Sequence, residues 1–325
     1  MKTRAAFFNN ENWAAIDYVF AKGRRQKLTG MVDLYPEIIS EDNFEQHAEK
    51  LVDLEVIFST WGMPELSEQQ IERLPALSAV FYAAGATDGF ARPFLKKNKI
   101  VASAWLANAV PVAEFCVAQI LLSCKGYFHN TADCRIPGKW RDGTAFKGRG
   151  VFEEGVALIG AGAISHKTRE LLAPFNLNVV IIPSRQANRT ISLEEAFSSS
   201  YIVSNHLPNR SDNIGILNGG LFRMMPWGAT FINTGRGAQV NEPELIAVLK
   251  ERPDLTALLD VTWPEPPVDD SELYMFPNVH LSSHIAGSMN NEVVRMAYYM
   301  IEEFMRWKNG EALKYQISES MLMND

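Results

Sequence analysis

Six short runs rich in β-branched and other apolar residues follow one another from Gly155 onward: Val156–Ile159, Val179–Ile182, Tyr201–Ser204, Thr230–Asn233, Leu255–Val261 and Val279–Ser282. The first five are separated by segments of helical apolar spacing, His166–Leu172, Leu193–Phe197, Leu217–Met225 and Glu242–Leu249. Strands apolar on both faces and joined by helices predict a parallel sheet covered on both sides, a doubly wound α/β domain of six strands. A shorter alternation precedes it, with strands near Ala5–Phe8, Leu54–Ser59, Leu77–Ala83 and Lys99–Ala104 and helices near Glu45–Leu51, Glu68–Leu74 and Phe90–Lys97. It predicts a second, smaller α/β domain. Between them, Val112–Ser123 reads as an apolar crossover helix and Lys125–Gly150 as an irregular surface excursion. Asn290–Trp307 reads as a long helix returning to the first domain. The expected division is 1–106 with 290–325 for one domain and 107–289 for the other.

A chain of 325 residues, 47% of them hydrophobic, can fill two such cores. Its 31 Lys and Arg against 38 Asp and Glu give a formal net charge of −7 without a basic run, which argues against nucleic acid and anionic membrane as partners. The start meets Asn9-Asn10-Glu11 before a signal-peptide core can form, and the longest apolar stretch, Ala109 to Ser123, is interrupted by Pro111 and Glu114. No targeting or spanning segment is expected. Cys116, Cys124 and Cys134 lack the spacing of a zinc or redox site and read as reduced, packed thiols. The expectation is a soluble cytoplasmic protein.

Val156 to Ser165 reads as a buried strand running into Gly160-Ala161-Gly162-Ala163-Ile164-Ser165 and then a helix. The first glycine permits a tight turn, and the second lets a pyrophosphate approach the backbone at the helix N-terminus. Strand, helix and following strand supply the context that a dinucleotide turn requires. The acidic residue usual at the end of the second strand is missing, and Pro183-Ser184-Arg185 stands there instead. Ser184 and Arg185 could bind a 2′-phosphate that a carboxylate would repel, so NADPH is expected over NADH. Arg185 as a solvated loop arginine is the other reading.

Three polar residues recur beyond the ends of late strands, where open α/β sheets bind ligands. Arg236, between Gly235 and Gly237, offers a guanidinium fork suited to a carboxylate and its keto oxygen. Glu265 lies in a loop stiffened by Pro264, Pro266 and Pro267, and His284 closes Asn278 to His284. A histidine paired with a carboxylate suits a general acid near neutral pH. Singly, each also has a plain structural reading. His280 and His284, four residues apart along a strand, stand about 13 Å apart, too far to share a metal, and no metal is expected. His206, followed by Leu207 and Pro208 at the end of the third strand, is a cofactor contact or a structural histidine.

Together these segments resemble the D-isomer-specific 2-hydroxyacid dehydrogenase family over nearly the whole chain, most strongly from Val112 to Gly287. Ile159 to Ile164 is similar to its cofactor turn, Ile232 to Gly237 to its arginine motif, Asp260 to Pro266 to its glutamate motif, and Pro277 to Gly287 to its histidine motif. The resemblance implies a Rossmann cofactor domain with a flavodoxin-like substrate domain. It implies that Arg236 orients a 2-oxoacid, His284 exchanges the proton and Glu265 supports His284. Asp260 and the Thr234 backbone would hold the nicotinamide, with Gly287, His206 and Pro208 among the cofactor contacts. Ala84-Gly85-Ala86 would offer N–H groups to the substrate carboxylate, and Trp61 is either a wall of the substrate pocket or ordinary packing. Ser165 and Ser283 depart from the commoner Gly and Pro. The resemblance further implies a homodimer with contacts in Lys125–Gly150 and an active site between the domains. A dinucleotide-sensing, co-repressor-like binding protein is the alternative, and formate or phosphite oxidation a third reading.

Overall fold

Every strand pairing within the two sheets of the computed structural model, which describes residues 2–322, is parallel. Met1 and residues 323–325, part of the expected first domain, lie outside the described residues. The chain divides into one unit of Met1–Asn108 with Ser288–Asp325 and another of Ala109–Gly287.

The first unit runs β1 (Thr3–Phe7), α1 (Trp13–Val19), α2 (Arg24–Met31), β2 (Val32–Leu34), α3 (Phe44–His47), β3 (Val56–Ser59), α4 (Glu68–Glu72), β4 (Ala79–Tyr82), α5 (Ala91–Lys96) and β5 (Ile100–Ser103). Its strand order β2-β1-β3-β4-β5 is the flavodoxin-like one. The sequence gives little sign of α1, α2 and β2. β2 has three residues, and α2 buries only Leu28, so neither shows a readable apolar period. β3 and β4 are buried throughout, as expected of central strands covered on both faces.

The second unit contains α6 (Trp105–Cys124, from Ala109 on), α7 (Tyr127–Asp133), α8 (Pro137–Arg141), β6 (Glu154–Ile159), α9 (Ala163–Leu172), β7 (Leu177–Ile182), α10 (Leu193–Ser199), β8 (Ile202–Asn205), α11 (Gly219–Met224), β9 (Thr230–Asn233), α12 (Glu242–Glu251), β10 (Thr256–Leu259) and β11 (Val279–Leu281). The order β11-β10-β9-β8-β6-β7 is a doubly wound six-stranded sheet whose direction of winding reverses between β6 and β8. Ligands bind such sheets at that reversal, beyond the carboxyl ends of the strands.

Two segments of the second unit depart from expectation. Helix α6 does not wait for Val112 but continues through Pro111; one missing N–H does not end a helix whose neighbours are packed. Among the described residues it is the one helix long and apolar enough to cross a membrane, yet its Cys116, Ile120 and Cys124 are fully buried inside the unit. Lys125–Gly150 is not wholly irregular, because α7 and α8 lie within it. Asn130 Nδ2 donates to the Phe146 carbonyl at 2.8 Å, and the Phe146 N–H donates to Asp133 Oδ2 at 2.9 Å.

Back in the first unit, the expected long helix is a 3₁₀ turn, Asn290–Glu292, followed by α13 (Val294–Lys308). The side chain of Phe304 packs edge-on against Phe58 and Phe81. Residues beyond α13 pair with β5 in the antiparallel sense: the Ser103 N–H donates to Tyr315 O at 3.0 Å and the Ile317 N–H to Val101 O at 2.7 Å.

Candidate functional site

The turn after β6 is built for close approach. Gly160 has φ +109°, and a Cβ there would lie 2.4 Å from the His206 carbonyl oxygen, so only glycine fits. A Cβ at Gly162 would meet nothing within 4 Å; that side of the turn is open space. Gly162 also begins α9 without a side-chain cap, which leaves the N–H groups at Ala163 and Ile164 free for an anion. Ser165, in the third small position, is fully buried. Beyond β7, Ser184 is half-buried and Arg185 exposed. Arg189 gives no sequence signal, yet it donates from Nε to Pro183 O at 2.9 Å and from Nη2 to Ser184 O at 2.7 Å, fixing the loop. Open space at the turn, free donors and a carboxylate-free second strand end fit a dinucleotide.

Arg236 is exposed on a strap braced by three buried amides that the sequence reading missed. Gln239 Oε1 accepts from Asn205 Nδ2 at 2.7 Å and from the Arg236 N–H at 3.1 Å, while Gln239 Nε2 donates to the Leu207 and Pro208 carbonyls at 2.9 Å. Asn233 Oδ1 accepts from Asn205 Nδ2 at 2.9 Å and from the Gly235 N–H at 3.2 Å. A Cβ on Gly237 would sit 1.9 Å from Thr262 O, so the arginine strap presses directly on the loop that carries Glu265.

His284 and Glu265 come together, with Nδ1 and Oε1 2.7 Å apart and both side chains partly open to solvent. His284 holds φ +56°, a left-handed backbone that costs a non-glycine residue and is sustained by its surroundings. Asp260 supplies them. Its carbonyl accepts from the His284 N–H at 3.0 Å; Oδ1 accepts from Ser282 Oγ at 2.6 Å and Ile285 N–H at 2.9 Å, and Oδ2 from Ala286 N–H at 3.0 Å. The carboxylate therefore shapes the histidine loop. A cavity of about 680 Å³ beside the pair is lined by Asp260, Thr262, Glu265, Pro266, Leu281 and His284 among others.

Thr234 and His206 are buried, Pro208 is exposed and Gly287 half-buried. His280 lies in β11 with its ring 5.0 Å from that of Phe128. Among the described residues, no group of three or more His, Cys, Asp or Glu could hold a metal. In the first unit, Ala84 is buried and Gly85 half-buried, and the Ser103 hydroxyl donates to their carbonyls at 2.9 and 2.6 Å. Trp61 is 39% exposed, and its carbonyl accepts from Asn9 Nδ2 at 2.6 Å.

A six-stranded doubly wound sheet with a glycine turn at its reversal defines an α/β protein of the dinucleotide-binding kind, and a histidine–carboxylate pair stands at its strand ends. Residues 117–286 match the family model described as D-isomer specific 2-hydroxyacid dehydrogenase, NAD binding domain. The chain belongs to that family. It is 30% identical over 222 residues to YoaD of Bacillus subtilis (strain 168), covering 64% of each chain. It is 26% identical over 212 residues to glyoxylate/hydroxypyruvate reductase A of Klebsiella pneumoniae, covering 63% of this chain and 66% of that one. The chain thus spans just under two thirds of these relatives' own length. The crystal structure of D-mandelate dehydrogenase from Rhodotorula graminis superposes with a TM-score of 0.79 at 19% identity, over 98% of both chains, a likeness of fold.

Proposed function

We propose that the chain reduces a 2-oxoacid to a D-2-hydroxyacid with NADPH in preference to NADH. The observation that carries this reading is the 2.7 Å contact between His284 Nδ1 and Glu265 Oε1. A carboxylate on Nδ1 fixes the ring tautomer and leaves Nε2 to give a proton to the substrate oxygen, or to take it back in the oxidation direction. Arg236, exposed on its braced strap, orients the carboxylate and keto oxygen through its two-pronged donor set. Gly160, Gly162, Ala163 and Ile164 would hold the pyrophosphate, Ser184 and Arg185 the 2′-phosphate, and Thr234, Asp260 and Gly287 the nicotinamide end. When bound, the reduced cofactor supplies the hydride that reaches the 2-keto carbon.

The Klebsiella relative, a glyoxylate/hydroxypyruvate reductase, makes glyoxylate and hydroxypyruvate the first substrates to try. Trp61 is the proposed wall of the side-chain pocket. We further propose a cytoplasmic homodimer; Ile136 and Trp140, 51% and 70% exposed within residues 125–150, support a second copy there.

The test is the initial rate of NADPH and NADH oxidation against a panel from glyoxylate and pyruvate through hydroxypyruvate to branched and aromatic 2-oxoacids. Saturable turnover with NADPH favoured is the expected result. Tight nucleotide binding with no turnover on any of them would overturn it and move the weight to a dinucleotide-sensing binding protein.

A further inference from the structure

Four buried side chains from α6, β8 and the ends of β8 and β9 close a ring at the root of the arginine strap. Cys116 Sγ lies 3.3 Å from Thr234 Oγ1, Thr234 Oγ1 lies 3.3 Å from His206 Nδ1, and His206 Nε2 lies 3.0 Å from Ser204 Oγ. The Ser204 hydroxyl also stands near the Cys116 sulfur, where it partly offsets the upward push of burial on the thiol. Cys116 and Ser204 have no exposed surface, and His206 and Thr234 have 7% and 8%.

Each nitrogen of the His206 imidazole faces one hydroxyl, so the neutral ring donates at one and accepts at the other. A second ring proton would leave one donor over, in a place where an unpaired polar group is costly. Burial holds the group in the matching state: the imidazole of His206 is pushed down to about 3 and the thiol of Cys116 up to about 12. Both nitrogens of His206 are used inside the ring, so neither is left for a ligand. Thr234 is followed directly by Gly235 and Arg236, and its hydroxyl cannot turn without breaking two contacts.

We infer that His206 is a positioning residue that acts on the bound cofactor through Thr234, rather than by touching it. The inference rests on the reductase reading above, because that reading seats the nicotinamide end at Thr234.

The experiment combines ¹⁵N-imidazole NMR of the apoprotein with fluorescence titration by NADPH. His206 should show a neutral ring in one tautomer at pH 5.5. Thr234→Val should change those signals and weaken NADPH binding about five-fold, the size of one neutral hydrogen bond. Cys116→Ser, which keeps a donor, should retain more affinity than Cys116→Val, which does not. The proposal is overturned if Thr234→Val binds NADPH as tightly as the unaltered chain, or if His206 titrates near 6.5. An unaltered chain that binds neither NADPH nor NADH would defeat the reductase reading and this proposal with it. The His206 signals would then still show whether the ring itself forms.

Discussion

His284 meets Glu265 at 2.7 Å, Nδ1 to Oε1, from two loops that leave adjacent parallel strands, β10 and β11. Because Asp260 pins the histidine loop while the arginine strap presses on Thr262, the pair is held by backbone rather than by chance side-chain approach. Glu265→Gln keeps the length and one acceptor but removes the carboxylate that holds the His284 ring through Nδ1. Turnover should fall about ten-fold or more, with NADPH affinity within two-fold of the unaltered chain. Steady-state kinetics beside a binding titration check this, and unchanged turnover would remove Glu265 from the assignment.

Arg185 is exposed at the end of β7, next to a loop that Arg189 holds by two carbonyls. A guanidinium placed for a 2′-phosphate makes charge-assisted hydrogen bonds worth about 1.5–3 kcal/mol. Arg185→Ala should therefore weaken NADPH about ten-fold or more and leave NADH nearly unchanged. Equal losses for both nucleotides would remove the argument for NADPH.

Stability should depend on pH through His206. Its imidazole lies at about 3 in the folded chain against 6.5 for an ordinary histidine, so between these values the unfolded chain binds the extra proton. Stability is then fully present above 6.5 and is lost as pH falls toward 3. At pH 5.5 the loss from this residue is about 1 kcal/mol, one unit of displacement. Urea unfolding at pH 7.5 and 5.5 should show it. His206→Gln should flatten the difference, and an equal pH dependence in that variant would contradict the account.

Glu303 in α13 has no exposed surface, pairs with Arg306 and accepts the Lys314 and Tyr315 N–H groups at 2.8 and 3.0 Å. It thereby ties the segment beyond α13 to the edge of the first unit's sheet. Glu303→Ala strands two N–H groups and a guanidinium, and should cost about 3 kcal/mol. The unfolding midpoint reads the loss, and proteolysis should move to residues after Gly310. A midpoint like that of the unaltered chain would show the carboxylate to be dispensable.

The glycine turn, Arg236, Glu265 and His284 were legible because each sits in a short contiguous motif at the end of an apolar strand. The braces behind them were not. Gln239, Asn205 and Asn233 act on one another across 28 to 34 residues of chain, and their meeting depends on β8 lying beside β9, which no local pattern states. Arg189 is indistinguishable in sequence from any loop arginine until its two carbonyl contacts are seen. The ring around His206 needs Cys116 and Thr234, 118 residues apart. Pro111 misled in the other direction, since a local rule for ending helices yields to packing along α6.

The most direct test of the whole account is turnover by His284→Ala in the reduction direction, with NADPH affinity measured on the same preparation. Loss of about a hundred-fold or more in turnover, with affinity nearly unchanged, is expected if His284 delivers the proton. Turnover equal to that of the unaltered chain would contradict it.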